Sequence, residues 1–223
     1  MLYKDFYIDD EYISILNTLQ EMDNLNILFI GKSGVGKTSI INATIREYYN
    51  TLNIPKDNVL FINSLKEQGI QYYRNNLKTF CQTSSSILNK KKFIILDDID
   101  FINEQSQQVF RNCIDKYNHK VHFLISCTNN QKVIDNIQSR NIIIKLKPIS
   151  NENIMQLYKK IVKAEKIVID KPSEKYIFNV CSNSISQLIN CLEKFKLYNK
   201  DITLDIAKHI CTNISFFEFE KYT

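Results

Sequence analysis

Glycine and arginine are both scarce in this chain. Its 223 residues include four glycines, whereas average usage of 7% would give about 16. Among 29 basic residues, four are arginine. No stretch approaches the roughly 18 uncharged apolar residues of a membrane-spanning helix, and the N-terminus lacks the basic-then-apolar pattern of a signal peptide. With 44% hydrophobic and 24% charged residues, the composition excludes disorder, collagen and coiled coil as global descriptions.

The six cysteines form no CxxC pair and mostly fall in apolar runs, so we predict buried free thiols in a reducing compartment and no zinc site. The chain is therefore expected to be soluble and intracellular. These cysteines are Cys81, Cys113, Cys127, Cys181, Cys191 and Cys211.

The charges that are present are unevenly distributed. The net charge of +5 divides into −5 over residues 1–23, +7 over 24–146 and +3 over 147–223. A basic central block favours polyanionic partners such as nucleotides or nucleic acid, although solvated lysines also serve solubility. Base bias of the genome explains the excess of lysine over arginine, so the remaining arginines should mark sites that need a planar guanidinium.

Short apolar runs alternate with helical-period segments through the first two thirds of the chain, which predicts a parallel five-stranded α/β sheet flanked by helices. The predicted strands are 26–30, 58–62, 92–96, 121–127 and 142–146, and the helices are 37–49, 69–81, 104–117 and 130–138. Residues 83–91 are predicted to form a loop.

After Pro148 the pattern becomes wholly helical, with segments at 150–166, 172–182, 184–198 and 202–211. We therefore expect a nucleotide-binding α/β domain at 1–147 and a small helical lid domain at 148–223.

The strongest motif is GKSGVGKT at 31–38, which fits GxxxxGK[ST] between a predicted strand and a predicted helix. Glycines let successive backbone N–H groups point at phosphate oxygens, and the helix N-terminus adds positive potential. Lys37 is expected to meet the β and γ phosphates, and the Thr38 hydroxyl to bind Mg²⁺. The full set of predicted nucleotide-binding residues is Gly31, Ser33, Gly34, Val35, Gly36, Lys37, Thr38 and Ser39.

A second motif, FIILDDID at 93–100, is an apolar strand that ends in carboxylates, the Walker B pattern. Asp97 is expected to hold Mg²⁺ through water, and Asp98 to orient or deprotonate the attacking water. The alternative is a solvated acidic strand end. Because aspartate is one methylene shorter than glutamate, slow hydrolysis or a water-bridged base is a further hypothesis.

Two later segments complete the candidate site. The strand 123–127 ends in Thr128 and Asn129, which could meet the γ-phosphate, or could form only a core strand and turn. Arg140, at the end of Ile-Gln-Ser-Arg at 137–140, stands just before the last predicted strand, and its alternative is an ordinary surface arginine.

The order of these motifs resembles that of AAA+ ATPases, and most closely the small subunits of replication factor C, the sliding-clamp loader. The segment SCTNNQKVIDNIQSRN at 126–141 is similar to that family's Ser-Cys-Asn and Ile-Gln-Ser-Arg-Cys run. Residues 63–74 resemble its Asn-Ala-Ser-Asp-Asp-Arg-Gly-Ile segment, and Gln107 and Arg111 match a Gln-x-Ala-Leu-Arg helix. The likeness extends over about residues 25–215.

The resemblance implies an ATP- and Mg²⁺-dependent subunit of a hetero-oligomeric ring that loads a sliding clamp on primed double-stranded DNA. Arg140 would act in trans on the ATP of a neighbouring subunit. Lys66 and Arg74 would lie near the DNA backbone, where contact is electrostatic and independent of sequence, although both could be ordinary surface charges. The expected location is the nucleus, or the replication compartment of a virus or parasite.

The sequence departs from the family at several places. Residues 1–23 are acidic and lack the Trp-x-x-Lys-Tyr-Arg-Pro segment that helps to hold adenine. Thr128 replaces the usual Asn, and Ser186 stands where the lid arginine of Gly-Asp-x-Arg is expected. The family's helical collar would begin near Thr223, so we expect either a shortened chain or assembly without a standard collar.

Two other functions remain open from the residues alone. One is a different AAA+ replication initiator or helicase loader, although such proteins tend to carry a lid arginine and an extra DNA-binding domain. The other is a subunit in which ATP is structural and hydrolysis is negligible.

Overall fold

The computed structural model describes Tyr3 and residues 10–64, 70–181 and 184–211, with only the backbone described at residues 10, 63 and 70–73. The chain divides into two compact units, Met1–Lys147 and Pro148–Thr223. In the described part of the chain, no helix combines the length and apolar character that crossing a bilayer requires.

The first unit is built on a five-stranded sheet, as predicted. The strands are β1 Ile27–Ile30, β2 Val59–Asn63, β3 Lys92–Asp97, β4 Val121–Cys127 and β5 Ile142–Lys145. All neighbouring strands are parallel, and their order is β2-β3-β4-β1-β5.

Helices cover both faces of this sheet, which explains why its strands are apolar on both sides. The helices of this unit are α1 Asp10–Glu21, α2 Lys37–Tyr49, α3 Ile70–Gln82, α4 Glu104–Tyr117 and α5 Asp135–Gln138. Along β3, Phe93 and Ile95 pack in a core cluster with α1 and α2, whereas Ile94 and Leu96 pack in a second cluster with α3 and α4.

Two features of this unit differ from the sequence prediction. Helix α1 has no counterpart among the predicted helices, because the acidic charge of residues 1–23 does not by itself indicate a helix. The predicted helix 130–138 is interrupted: a 3-10 turn at Asn130–Lys132 is followed by extended backbone and then by α5. The Gln107 side chain accepts a hydrogen bond from the backbone N–H of Ile134 and donates to the carbonyl of Lys132, so these groups are not available to a continuous helix.

The second unit consists of helices in its described residues. Its core contains Ile154, Ile177, Leu188 and Phe195, which come from the first three of its four helices. They are α6 Asn151–Glu165, α7 Lys171–Cys181, α8 Ile185–Tyr198 and α9 Leu204–Cys211. An isolated parallel bridge between Ile169 and Ile202 joins two of the connecting segments. All six cysteines of the chain are free thiols, as predicted; five of them are buried, and Cys211 is half-buried instead.

Candidate active site at the carboxyl edge of the sheet

The loop 31–38 connects the carboxyl end of β1 to the first turn of α2. Gly34 and Gly36 have φ of 78° and 102°, the left-handed region that side chains rarely adopt. At Gly31, an added Cβ would lie 3.3 Å from both the Cβ and the carbonyl oxygen of Leu146. The glycines therefore shape a tight loop that ends at a helix N-terminus, where backbone N–H groups and the helix dipole favour an anion.

Lys37 is the first residue of α2, and its side chain is turned back into this loop. Only 7% of the residue is exposed. Its Nζ donates to the carbonyl oxygens of Gly31 at 2.9 Å and Lys32 at 3.3 Å, and to Thr128 Oγ1 at 3.3 Å. Each of these acceptors is neutral, so a phosphate in the loop would offer the ammonium group a stronger, charge-assisted hydrogen bond.

Thr38 and Asp97 meet where α2 begins and β3 ends. Thr38 Oγ1 donates to Asp97 Oδ2 at 2.8 Å, and Ser126 on β4 donates its hydroxyl to Asp97 Oδ1. The Ser64 hydroxyl, after β2, donates to the carbonyl of Asp97. Hydroxyl and carboxylate oxygens are the ligands that Mg²⁺ prefers, so this donor set fits the metal that the motifs imply.

Asp98 follows β3 directly and has φ 54° and ψ 58°, a conformation that is uncommon outside glycine. Its backbone N–H donates to Ser126 Oγ at 2.9 Å, which fixes this turn against β4. Burial, reinforced by the neighbouring Asp97 carboxylate, raises the pKa of Asp98 above its ordinary value. A raised pKa makes the Asp98 carboxylate a better proton acceptor than an exposed aspartate.

Asp100 was not singled out from the sequence, yet it fixes the segment after β4. Asp100 Oδ2 accepts from the backbone N–H of Thr128 at 3.3 Å and of Asn129 at 3.1 Å. The sequence feature that points to Asp100 is its position as the third carboxylate of the segment FIILDDID. The side chains of Thr128 and Asn129 have different partners. Thr128 Oγ1 accepts from Lys37 Nζ, whereas Asn129 Oδ1 accepts from the backbone N–H of Gln131 at 3.0 Å.

Gln107 on α4 ties the same segment to the helix that follows the Walker B turn. The residue is 1% exposed. Its Nε2 donates to the carbonyls of Ile102 at 3.0 Å and Lys132 at 2.8 Å, and its Oε1 accepts from Ile134 N–H at 3.0 Å. Each described hydrogen bond of this amide goes to backbone, so the side chain acts as a fixed clamp between α4 and residues 132–134.

Arg140 lies before β5, and its described contacts are with Asp115, Asn136 and Ser139 rather than with the loop 31–38. Its Nε donates to Asp115 Oδ1 on α4. Arg111, also on α4, places its Nε 3.2 Å from Asp115 Oδ2. One carboxylate therefore bridges two guanidinium groups.

The remaining residues predicted to bind nucleotide or DNA lie in the loop 31–38, on α2 and α3, or outside the described residues. Within the loop and the first turn of α2, Ser33 and Ser39 are exposed and Val35 is half-buried. Arg74 is exposed on α3, while Lys66 and Gly69 lie outside the described residues.

In the second unit, Ser186 is exposed in the first turn of α8.

Arg46 lies on α2 in the first unit, and the sequence assigns it no role. Its Nε donates to the carbonyl of Leu52 at 3.1 Å and so holds the chain after α2.

Comparison with known proteins agrees with this geometry. Residues 27–147 match the family described as the ATPase family associated with various cellular activities (AAA). Replication factor C small subunits from Methanocella arvoryzae and Methanococcus vannielii are 32% and 28% identical over 81% and 93% of this chain. The chain spans 56% and 65% of the length of these two relatives.

Among solved structures, domain III of the Thermotoga maritima replication initiation protein DnaA superimposes with a TM-score of 0.66 at 17% identity, covering 94% of each chain. At that identity the likeness shows the fold alone. The match over more than half of the residues, together with the loop, the Walker B carboxylates and the parallel sheet, makes this chain a member of the AAA ATPase family that resembles replication factor C small subunits.

Proposed function

We propose that this chain is an ATP-hydrolysing subunit of a sliding-clamp loader. The observation that carries the proposal is the meeting of Thr38 and Asp97 at 2.8 Å, with Lys37 in the adjoining loop. It brings a phosphate-binding loop, a metal-binding oxygen pair and a candidate base to one edge of the sheet. The similarity to replication factor C small subunits supports the assignment to clamp loading.

The residues of this edge divide the work of phosphoryl transfer. The loop 31–38 and Lys37 bind the phosphates and orient them, because backbone N–H groups and one ammonium converge there. Thr38 and Asp97 would hold Mg²⁺, which when bound neutralises charge on the phosphate oxygens. Asp98 accepts a proton from the attacking water, and Thr128 beside Lys37 contacts the γ-phosphate.

Hydrolysis in this proposal is slow and requires partner subunits. Asp98 reaches less far than glutamate, and Ser186 cannot replace the charge of a lid arginine. The positive charge that completes the active site comes from Arg140 of a neighbouring subunit, since an arginine at a phosphoryl-transfer site stabilises the negative charge of the transition state. The unit Pro148–Thr223 serves as the lid, and the partners are other loader subunits in a ring.

ATP binding organises the subunit interfaces, DNA binding triggers hydrolysis, and hydrolysis releases the clamp. In this cycle the γ-phosphate favours the conformation in which the subunit interfaces are ordered, and its loss on hydrolysis releases that conformation. Arg74, exposed on α3, contacts the backbone of primed double-stranded DNA together with Lys66.

The deciding experiment measures ATP turnover of this chain with its co-purifying subunits, a clamp and primed DNA. Lys37→Ala removes the phosphate-binding ammonium, so DNA-stimulated turnover should fall at least about 100-fold. Lys56→Ala, at an exposed lysine on a separate turn, is the matched control and should retain turnover. Equal turnover in both variants would contradict the proposal.

A second function has two observations in its favour: the aspartate at position 98 and the serine at position 186. In that case the chain binds ATP to organise its neighbours but does not hydrolyse it. ATP binding without turnover, in the presence of all partner subunits and primed DNA, would establish this alternative.

A further inference from the structure

Asp115 stands between two arginines on the surface of the α/β unit. Its Oδ1 accepts from Arg140 Nε, and its Oδ2 lies 3.2 Å from Arg111 Nε. The three side chains are each 29–39% exposed. Exposed ion pairs of this kind add little to folding stability, so stability alone gives little reason for a carboxylate at this place.

The way in which Arg140 is held leaves one end of its guanidinium available. Nε is occupied by Asp115, and Nη1 donates to the carbonyl of Asn136 at 2.9 Å and more weakly to Ser139 Oγ at 3.4 Å. Across the residues that the structure describes, no acceptor contacts Nη2. Nη2 therefore keeps N–H donors from which an external anion can accept a hydrogen bond.

Fixing the Nε side of an arginine has a clear physical consequence. A free arginine samples many rotamers, and this freedom must be lost when it binds a phosphate. An arginine that is already held at Nε and Nη1 loses less on binding, and it holds Nη2 at a defined position relative to α4.

We propose that Asp115 is a positioning residue that presents Nη2 of Arg140 to the phosphates of a nucleotide bound by the neighbouring subunit. The inference rests on the proposed trans role of Arg140 and adds to it the residue that sets the geometry. Asp115 does not touch the nucleotide; it acts through Arg140.

The test compares Asp115→Ala with Asp135→Ala in the assembled complex. Asp135 is an exposed carboxylate five residues before Arg140, so its removal makes the same charge change nearby. Asp115→Ala should lower kcat for ATP by about 10- to 100-fold, because a misplaced catalytic group is costly, and should leave KM unchanged. Asp115→Glu should restore part of kcat, and Asp135→Ala should match the wild-type protein.

A double-variant comparison separates the positioning role from the proposed function. If Asp115 acts through Arg140, the double variant Asp115→Ala/Arg140→Ala should have the kcat of Arg140→Ala alone. A further loss in the double variant would overturn the inference. If Arg140→Ala itself leaves kcat unchanged, the trans role of Arg140 fails, and the role of Asp115 in positioning Arg140 toward the nucleotide fails with it.

Nuclear magnetic resonance of the isolated full chain reports the contact independently of activity. The Nε–H signal of Arg140 should exchange slowly in the wild-type protein and in Asp135→Ala, and should be lost to fast exchange in Asp115→Ala. An Arg140 signal that does not respond to Asp115→Ala would overturn the positioning role even if kcat had fallen.

Discussion

The two edges of the parallel sheet both carry clusters of polar residues, but they use them differently. At the amino edge, His122 Nδ1 accepts from Leu25 N–H at 3.3 Å, and its Nε2 lies 3.1 Å from Asp23 Oδ1. Tyr48 donates its hydroxyl to the same Asp23 oxygen at 3.0 Å, and Lys91 pairs with Asp23 Oδ2 at 2.9 Å. The described polar groups of this cluster are satisfied by one another.

At the carboxyl edge, Lys37 instead bonds to two carbonyls and a hydroxyl in a glycine-shaped loop, and these acceptors can be exchanged for a ligand. The aspartates of the two edges have pKa shifts of opposite direction. Burial and the Asp97 carboxylate raise the pKa of Asp98. Burial also acts to raise the pKa of Asp23, but the hydrogen bond from Lys91 and the nearby positive charges outweigh it, so the pKa of Asp23 is lowered. The comparison shows that a site differs from a structural cluster by having partners that a ligand can replace.

The largest expected effect comes from removing the carboxylate at the carboxyl edge. Asp98→Asn removes the proton acceptor while keeping the side-chain size, so single-turnover hydrolysis should fall about 100-fold or more, with the ATP dissociation constant nearly unchanged. Asp57→Asn, at an exposed aspartate, is the control. Unchanged hydrolysis in Asp98→Asn would move the base to another residue.

Acidification should break the amino edge. Burial, reinforced by Lys91, lowers the pKa of His122 from 6.5 to about 4. Between these pH values the unfolded chain takes up a proton that the folded chain does not, so this residue's contribution to stability falls as the pH falls, by about 3 kcal/mol over the window.

The variant His122→Gln cannot gain this proton, so urea unfolding at pH 7, 5.5 and 4 should show a smaller loss of stability than in the wild-type protein. Groups that titrate in both proteins cancel in the difference. Equal pH slopes for the two proteins would show that His122 titrates normally.

The smallest effect concerns the clamp between α4 and the segment after β4. Gln107→Ala leaves the carbonyls of Ile102 and Lys132 without this donor, which should cost about 2 kcal/mol of unfolding free energy. Gln108→Ala removes an exposed glutamine next to it on the same helix and should change stability by less than about 0.5 kcal/mol. Similar unfolding free energies for the two variants would show that the clamp is dispensable.

Much of the fold could be predicted from the sequence, because parallel strands buried on both faces must be continuously apolar. The predicted bounds of β4, α2 and α4 agree with the structure, and the other strands shift by one residue at most at each end. Helix α1 was not predicted, since net charge carries no information on the helical spacing of apolar residues such as Leu16 and Leu19. The break at 133–134 was also missed, because it depends on Gln107, which is distant in the chain.

The sequence by itself determined the order of the motifs, since GKSGVGKT and FIILDDID each combine local backbone geometry with local chemistry. Only the tertiary structure decided which polar side chains meet. It placed Thr128 rather than Asn129 beside Lys37, gave Asp100 two backbone N–H groups, and joined Arg140 to Asp115. The physical reason is that hydrogen bonds between separate strands and helices depend on sheet order and register, which local sequence patterns do not encode.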